Sequence, residues 1–167
     1  MANLATADHA AQGNSARGRS PYLVQNTINI ADAIVLKGSD FAANDTMEVL
    51  NIPAGTAILS AGMEIMEQLD GTCTLDMGFT GGSPGAVDLY VDGLDVVGGS
   101  VGAYGTTPAT EAAQVQIIST ADTIDVKFAT ETDVTSGKLR FWAILMDVSD
   151  MGEHDMIADE VVRDYLA

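Results

Sequence analysis

Apolar and polar positions alternate through much of the chain between residues 27 and 150, and period-two patterning is the signature of half-buried strands. Ile28, Ile30 and the run Ala33–Leu36 predict a first strand ending at Lys37-Gly38. In 46–52 (TMEVLNI), Met47 and Val49 alternate with Glu48 and Leu50 before a turn at Pro53-Ala54-Gly55-Thr56. A long strand is expected over 57–69, with a bulge at Gly62. Asp70-Gly71 then reads as a hairpin signal. In 72–79, Cys73, Leu75, Met77 and Phe79 alternate with Thr72, Thr74, Asp76 and Gly78, the cleanest half-buried strand in the sequence.

Gly81-Gly82-Ser83-Pro84-Gly85 opens a loop-rich middle that extends past Pro108. Strands resume at 114–119 and 123–129, and Thr135-Ser136-Gly137 makes a turn. Residues 139–148 (LRFWAILMDV) are almost continuously apolar, the expectation for a central strand buried on both faces, with Trp142 anchoring the core. About eight strands separated by turn signals predict an all-β, jelly-roll-like β-sandwich over 27–150.

The two ends follow other patterns. Residues 1–26 are small and polar, punctuated by Gly13, Gly18 and Pro21, and keep no period. They read as an extended N-terminal arm that takes order on contact with a partner. After Ser149-Asp150 the period changes. Ile157, Ala158, Val161, Val162, Tyr165 and Leu166 form one helical stripe, so 151–167 is expected as a short C-terminal helical tail. Such a helix needs support, from its own sandwich or from another subunit.

Composition adds one strong constraint. Seven basic and 24 acidic side chains give a net charge of −17. That charge repels nucleic-acid phosphates and anionic membrane surfaces, so neither is an expected partner. Arg17 and Arg19 stand out as two of the seven cations and are the natural contact to an acidic neighbour, unless they are simply solvated. No apolar run approaches the ~20 residues that span a bilayer, and the first 19 residues lack the apolar segment of a secretory signal, so synthesis in the cytoplasm is expected.

Candidate chemistry is sparse. Cys73 is the only cysteine, flanked by Thr72 and Thr74, and reads as a buried, inert thiol. His9 and His154 fall outside the strand region and offer neither a triad nor a zinc site. Asp76, Asp88, Asp92 and Asp95 cluster loosely. Asp92-Gly93-Leu94-Asp95 resembles a fragment of a calcium loop, but a turn is the favoured reading. The glycines from Gly78 to Gly85 lack a phosphate-loop pattern, and aromatics, at 5%, are too few for a stacking platform. No enzyme activity, cofactor or metal is expected.

Two stretches carry a resemblance. In 39–79, SDFAANDTMEVLNIPAGTAILSAGMEIMEQLDGTCTLDMGF, the turns of phrase are NDT-x-E-V-L-x-I-P-A-G and T-L-D-x-G. In 121–150, ADTIDVKFATETDVTSGKLRFWAILMDVSD, a DTIDV strand and a T-S-G-K-L-R turn precede the long apolar strand. Together they look like small structural proteins of tailed bacteriophages, of the capsid decoration, cement or knob type. The resemblance implies a virion location, a homotrimer on the head surface and the major capsid protein as partner. It carries no functional residues, since it marks strands and turns. The alternative is a head-fibre or tail-associated adhesin using the loops of 81–107 to bind a host glycan. A polysaccharide hydrolase ranks last for want of a site.

Overall fold

The computed structural model describes residues 3–8, 20–80, 86–102, 104–105 and 115–148. Its elements in chain order are β1 (Asn3–Asp8), β2 (Tyr22–Asn29), α1 (Ile30–Lys37), β3 (Thr46–Ile52), β4 (Thr56–Glu67), β5 (Thr72–Gly78), β6 (Val91–Asp95), β7 (Tyr104–Gly105), β8 (Gln116–Ile118), β9 (Asp122–Thr132) and β10 (Lys138–Asp147). One sheet runs β2-β10-β4, with β7 and β8 both paired to the far edge of β4. The other runs β3-β9-β5-β6, extended by β1 beyond β3. From β2 onward each connection between β-strands passes to the opposite sheet, except β5 to β6 and β7 to β8. This winding is a jelly-roll-like sandwich of two four-stranded sheets, with antiparallel pairing throughout except at β1.

The core lies between the sheets. Leu139, Phe141, Ala143 and Leu145 of β10 meet Ile124, Val126 and Phe128 of β9 in one buried cluster with Met63, Ile65, Leu75 and Met77. Cys73, Leu75, Met77 and Phe79 are all buried, as the alternation in 72–79 predicts, but Asp76 and Gly78 between them are buried as well, so only the first half of the strand is half-buried. In β3 the alternation breaks because a register shift falls between Glu48 and Leu50, so Val49 and Leu50 are both buried. Asn26 of β2 ties the sheets together by donating from Nδ2 to the Val49 carbonyl at 3.0 Å.

Several sequence expectations are corrected. Ile30–Lys37 is a helix rather than the end of a strand. Asn29 caps it by accepting from the Ala31 N–H at 2.9 Å, and Gly38, at φ 79°, ends it in the left-handed conformation. Tyr22–Asn26, read as the end of the arm, form the first part of β2. Asn3–Asp8, also read as arm, pair in parallel with β3 of the same chain. Residues 9–19, with Arg17 and Arg19, and the tail 151–167 lie outside the described residues.

Asp70-Gly71 is a corner, not a hairpin, because β4 and β5 belong to different sheets. The Gly71 φ is 72°, and a Cβ there would meet the Thr132 carbonyl oxygen at 2.2 Å, so only glycine fits. Gly62 pairs regularly with Trp142, and the bulges of β4 fall instead at Leu59 and Met66. The middle of the chain contributes β6, which its glycines had masked. Trp142 does not anchor the core: it sits on the outer side of β10, and Phe141 fills the interior.

Below the sandwich end, α1 buries Ile30 and Ala33, and its last residue makes an interior ion pair. Lys37 Nζ lies 2.9 Å from Asp45 Oδ2, with the two side chains 5% and 8% exposed. The Asp45 carboxylate also accepts from the Ala42 N–H at 3.0 Å. Phe41 stacks on Phe128 at 4.3 Å beneath the ammonium. Removing one partner of a buried pair strands the other charge. Asp45→Ala is therefore expected to destabilise the chain by about 3–5 kcal/mol in urea unfolding, more than Asp40→Ala, which changes an exposed side chain of the same connection.

The corner supplies a second test. The Asp70 carboxylate accepts from the Thr135 hydroxyl at 2.6 Å, the Thr135 N–H at 2.7 Å and the Ser136 N–H at 2.8 Å. These bonds, the Thr135 hydroxyl foremost, hold its pKa well below the usual carboxylate range. A lowered folded-state pKa stabilises the fold above the unfolded value near 3.8, and that contribution fades as pH falls below it. Asp70→Asn should lower the melting temperature at pH 7 and flatten its decline between pH 5 and pH 2. Equal slopes for the two proteins would contradict this.

Candidate functional site

Two of the four loosely clustered carboxylates, Asp76 and Asp95, are used locally. Asp76 is buried and accepts from the Gly93 N–H at 2.9 Å. Gly93, at φ 63°, marks a bulge where β6 slips against β5, so Asp92–Asp95 is neither a calcium loop nor a simple turn. Asp95 accepts from the Val97 and Gly98 N–H groups at 3.0 and 2.8 Å, closing the turn after β6. Asp125 is buried and accepts from both Thr80 and Thr123. Burial pushes its pKa up despite those bonds. No group of three or more His, Cys, Asp or Glu among the described residues could hold a metal ion. His9 and His154 lie outside the described residues.

Cys73 matches its sequence expectation. It is 1% exposed, and burial first, then Glu131 and Asp95, pushes its thiol up to about 12. The protein should resist alkylation by iodoacetamide at pH 8, reacting on the order of a thousandfold more slowly than the urea-unfolded chain. Fast, stoichiometric labelling of the native protein would refute the buried assignment.

The surface carries a stronger signal. The outer face of the β3-β9-β5 sheet is polar. Its cross-strand rows are Thr46, Lys127 and Asp76, then Glu48, Asp125 and Gly78. Thr74 and Thr130 hydroxyls meet at 2.7 Å on the same sheet. The outer face of the β2-β10-β4 sheet differs. Leu23 pairs with Ile144, and Gln25 pairs with Trp142, which faces Gly62. Met146 and Ile117 flank Ala57 further along. Leu23 is 57% and Ile117 66% exposed, large values for side chains of that size. Leu23, Gln25, Arg140 and Trp142 enclose a shallow depression of about 260 Å³. The charged members of the face oppose one another: Arg140 donates from Nε to Glu64 Oε2 at 2.7 Å, and Lys138 stands opposite Glu67.

Reading 139–148 as buried on both faces concealed this surface. The signal was in the composition of the run. A strand alternates, and β10 has Leu139, Phe141, Ala143 and Leu145 inside, so Trp142, Ile144 and Met146 must point out. Arg17 and Arg19, the two residues singled out for a partner, lie outside the described residues.

No protein-family profile matches the sequence, and no characterised protein resembles it closely in sequence. Solved structures do match in fold. A chain from the capsid asymmetric unit of cyanophage Pam1 superposes with a TM-score of 0.58 at 19% identity, covering 84% of this chain and 94% of that one. A chain from the capsid of Ralstonia phage GP4 gives 0.54 at 17% identity, covering 79% and 86%. A chain from the acid-stable capsid of Helicobacter pylori bacteriophage KHP30 gives 0.51 at 11% identity, covering 77% and 89%. At these identities the likeness is one of fold: the chain shares the jelly-roll-like sandwich of these phage capsid components.

Proposed function

We propose that this chain is a non-enzymatic structural protein of a bacteriophage virion, attached to the outside of the capsid as a decoration or cement protein. The observation that carries the proposal is the shared fold. It extends over nearly the whole of a chain from a capsid asymmetric unit, 94% in the case of cyanophage Pam1, so a body of this size and winding occurs as a capsid component. Charge favours the outer surface. The inside of a filled head faces packaged DNA, and a chain of −17 is repelled by it. Asp70, Asp76 and Asp95 brace turns and a bulge through backbone N–H groups.

The proposed partners are further copies of this chain, as a homotrimer, and the major capsid protein. Repeated attachment points on a particle raise avidity without a large interface per subunit. Arg17 and Arg19 are the proposed capsid contact, two cations aimed at an acidic neighbour.

Purified protein added to particles stripped of their outer proteins should rebind to a saturating, fixed number of copies. The double change Arg17→Glu and Arg19→Glu should weaken rebinding roughly tenfold and leave the melting temperature of the isolated protein unchanged. Binding of the unaltered protein should also fall with added salt, since exposed ion pairs are screened. Failure to rebind in any ionic condition would overturn the decoration role. Full binding by the double variant would overturn only the arm contact.

A further inference from the structure

We infer that the outer face of the β2-β10-β4 sheet is the surface through which copies of this chain associate. The inference presupposes the oligomer proposed above and names its interface. Three observations lead to it.

The first is apolar area in the wrong place. Leu23, Trp142, Ile144, Met146 and Ile117 share the solvent side of a sheet whose other side already faces the core. An antiparallel sheet with one free face is expected to be polar there, as the opposite sheet of this sandwich is. Leu23 and Ile117 at its edges are exposed, and Trp142, Ile144 and Met146 between them are part-exposed; large apolar side chains grouped on a surface mark an association surface.

The second is charge. The protein carries −17, so two copies repel across almost any pair of surfaces. On this face the signs balance. Its charged side chains are Arg140 and Lys138 against Glu64 and Glu67, two of each sign, and Arg140 is already paired with Glu64. A neutral apolar face on a strongly acidic body lets like meet like. A basic partner would gain more from the acidic surfaces elsewhere, and an acidic one finds no net positive charge here. The occupant that fits is a second copy.

The third is an unanswered donor. Trp142 Nε1 is buried and finds no acceptor among the described residues, although the ring itself is only half-buried. A buried indole N–H without a partner is costly, and Trp is characteristic of interfaces where such a donor meets an acceptor from across the contact. The N–H is already covered within the single chain, so what an apposed copy would fill is the depression beside the ring, lined by Leu23, Gln25, Arg140 and Trp142. Closed rotational symmetry brings the same face of every copy to one axis.

Ile144→Glu tests this in the full-length chain, with Leu23→Glu as a second variant at a more exposed position on edge strand β2. Each places a carboxylate in the face and is repeated in every copy around the axis. Circular dichroism confirms folding. Sedimentation equilibrium at micromolar concentration should give the oligomer for the unaltered protein and a single chain for at least one folded variant. Trp142 is the only tryptophan, so its fluorescence reports on the face directly. Its emission should shift to the red, and acrylamide quenching should rise severalfold, in the dissociated variant. A folded pair of variants that both keep the full oligomer mass would overturn the interface while leaving the oligomer itself standing. An unaltered protein that sediments as a single chain would overturn the oligomer and the interface together. In that case, a shielded Trp142 would show that the chain's own remaining segments cover the face.

Discussion

Strand β10 is the constraint from which the rest of the molecule follows. It is hydrogen-bonded along both edges, to β2 and to β4, over most of its length. It is also apolar on both sides of the sheet. A strand in that position cannot turn both rows of side chains inward, because successive residues point to opposite faces. One row, Leu139 to Leu145, has 0% exposure and organises the core against β9 and β5. The other row must be dealt with outside the sandwich. One ten-residue segment thus supplies both the centre of the core and the apolar outer face of its sheet.

The charge of the chain is managed unevenly. Lys37 is consumed inside, against Asp45, and Arg140 on the face, against Glu64. Acidic groups outnumber cations 24 to 7, so few can have a cation to themselves. Several act instead as acceptors for backbone N–H groups where the chain changes direction: Asp70 at the corner linking β4 to the β9–β10 connection, Asp76 at the β6 bulge, and Asp95 at the turn after it. A short carboxylate suits this work because it satisfies donors that no ladder can reach. The same residues, seen as a list, imitate a metal site.

Much of the fold was legible from residue order. The strand at 46–52 and the strands near 72, 116 and 123 all stand where period two placed them, and the sandwich follows from their number. Local capping chemistry was the first thing missed. Ala33–Leu36 looks like a strand by composition, but Asn29 and Gly38 bracket a helix, and those two residues outweigh β propensity. The Asp-Gly pair at 70–71 was misread because turn chemistry tells that the chain bends, not whether the next strand returns to the same sheet. The apolar outer face was hidden because a long apolar run invites a reading of burial on both sides: alternation separates the two rows, but only the pairing with Leu23, Gln25 and Gly62 shows which one faces out.

The fourth position of the β2-β10-β4 sheet is occupied in two pieces. β7 docks at Met63 and Glu64, and β8 docks at Thr56 to Ile58, each on its own stretch of β4. The two pairings share no residue of β4, so each piece holds its place by its own hydrogen bonds. An edge divided in this way offers a foreign strand only short runs of unpaired backbone, and so guards itself against edge-to-edge pairing.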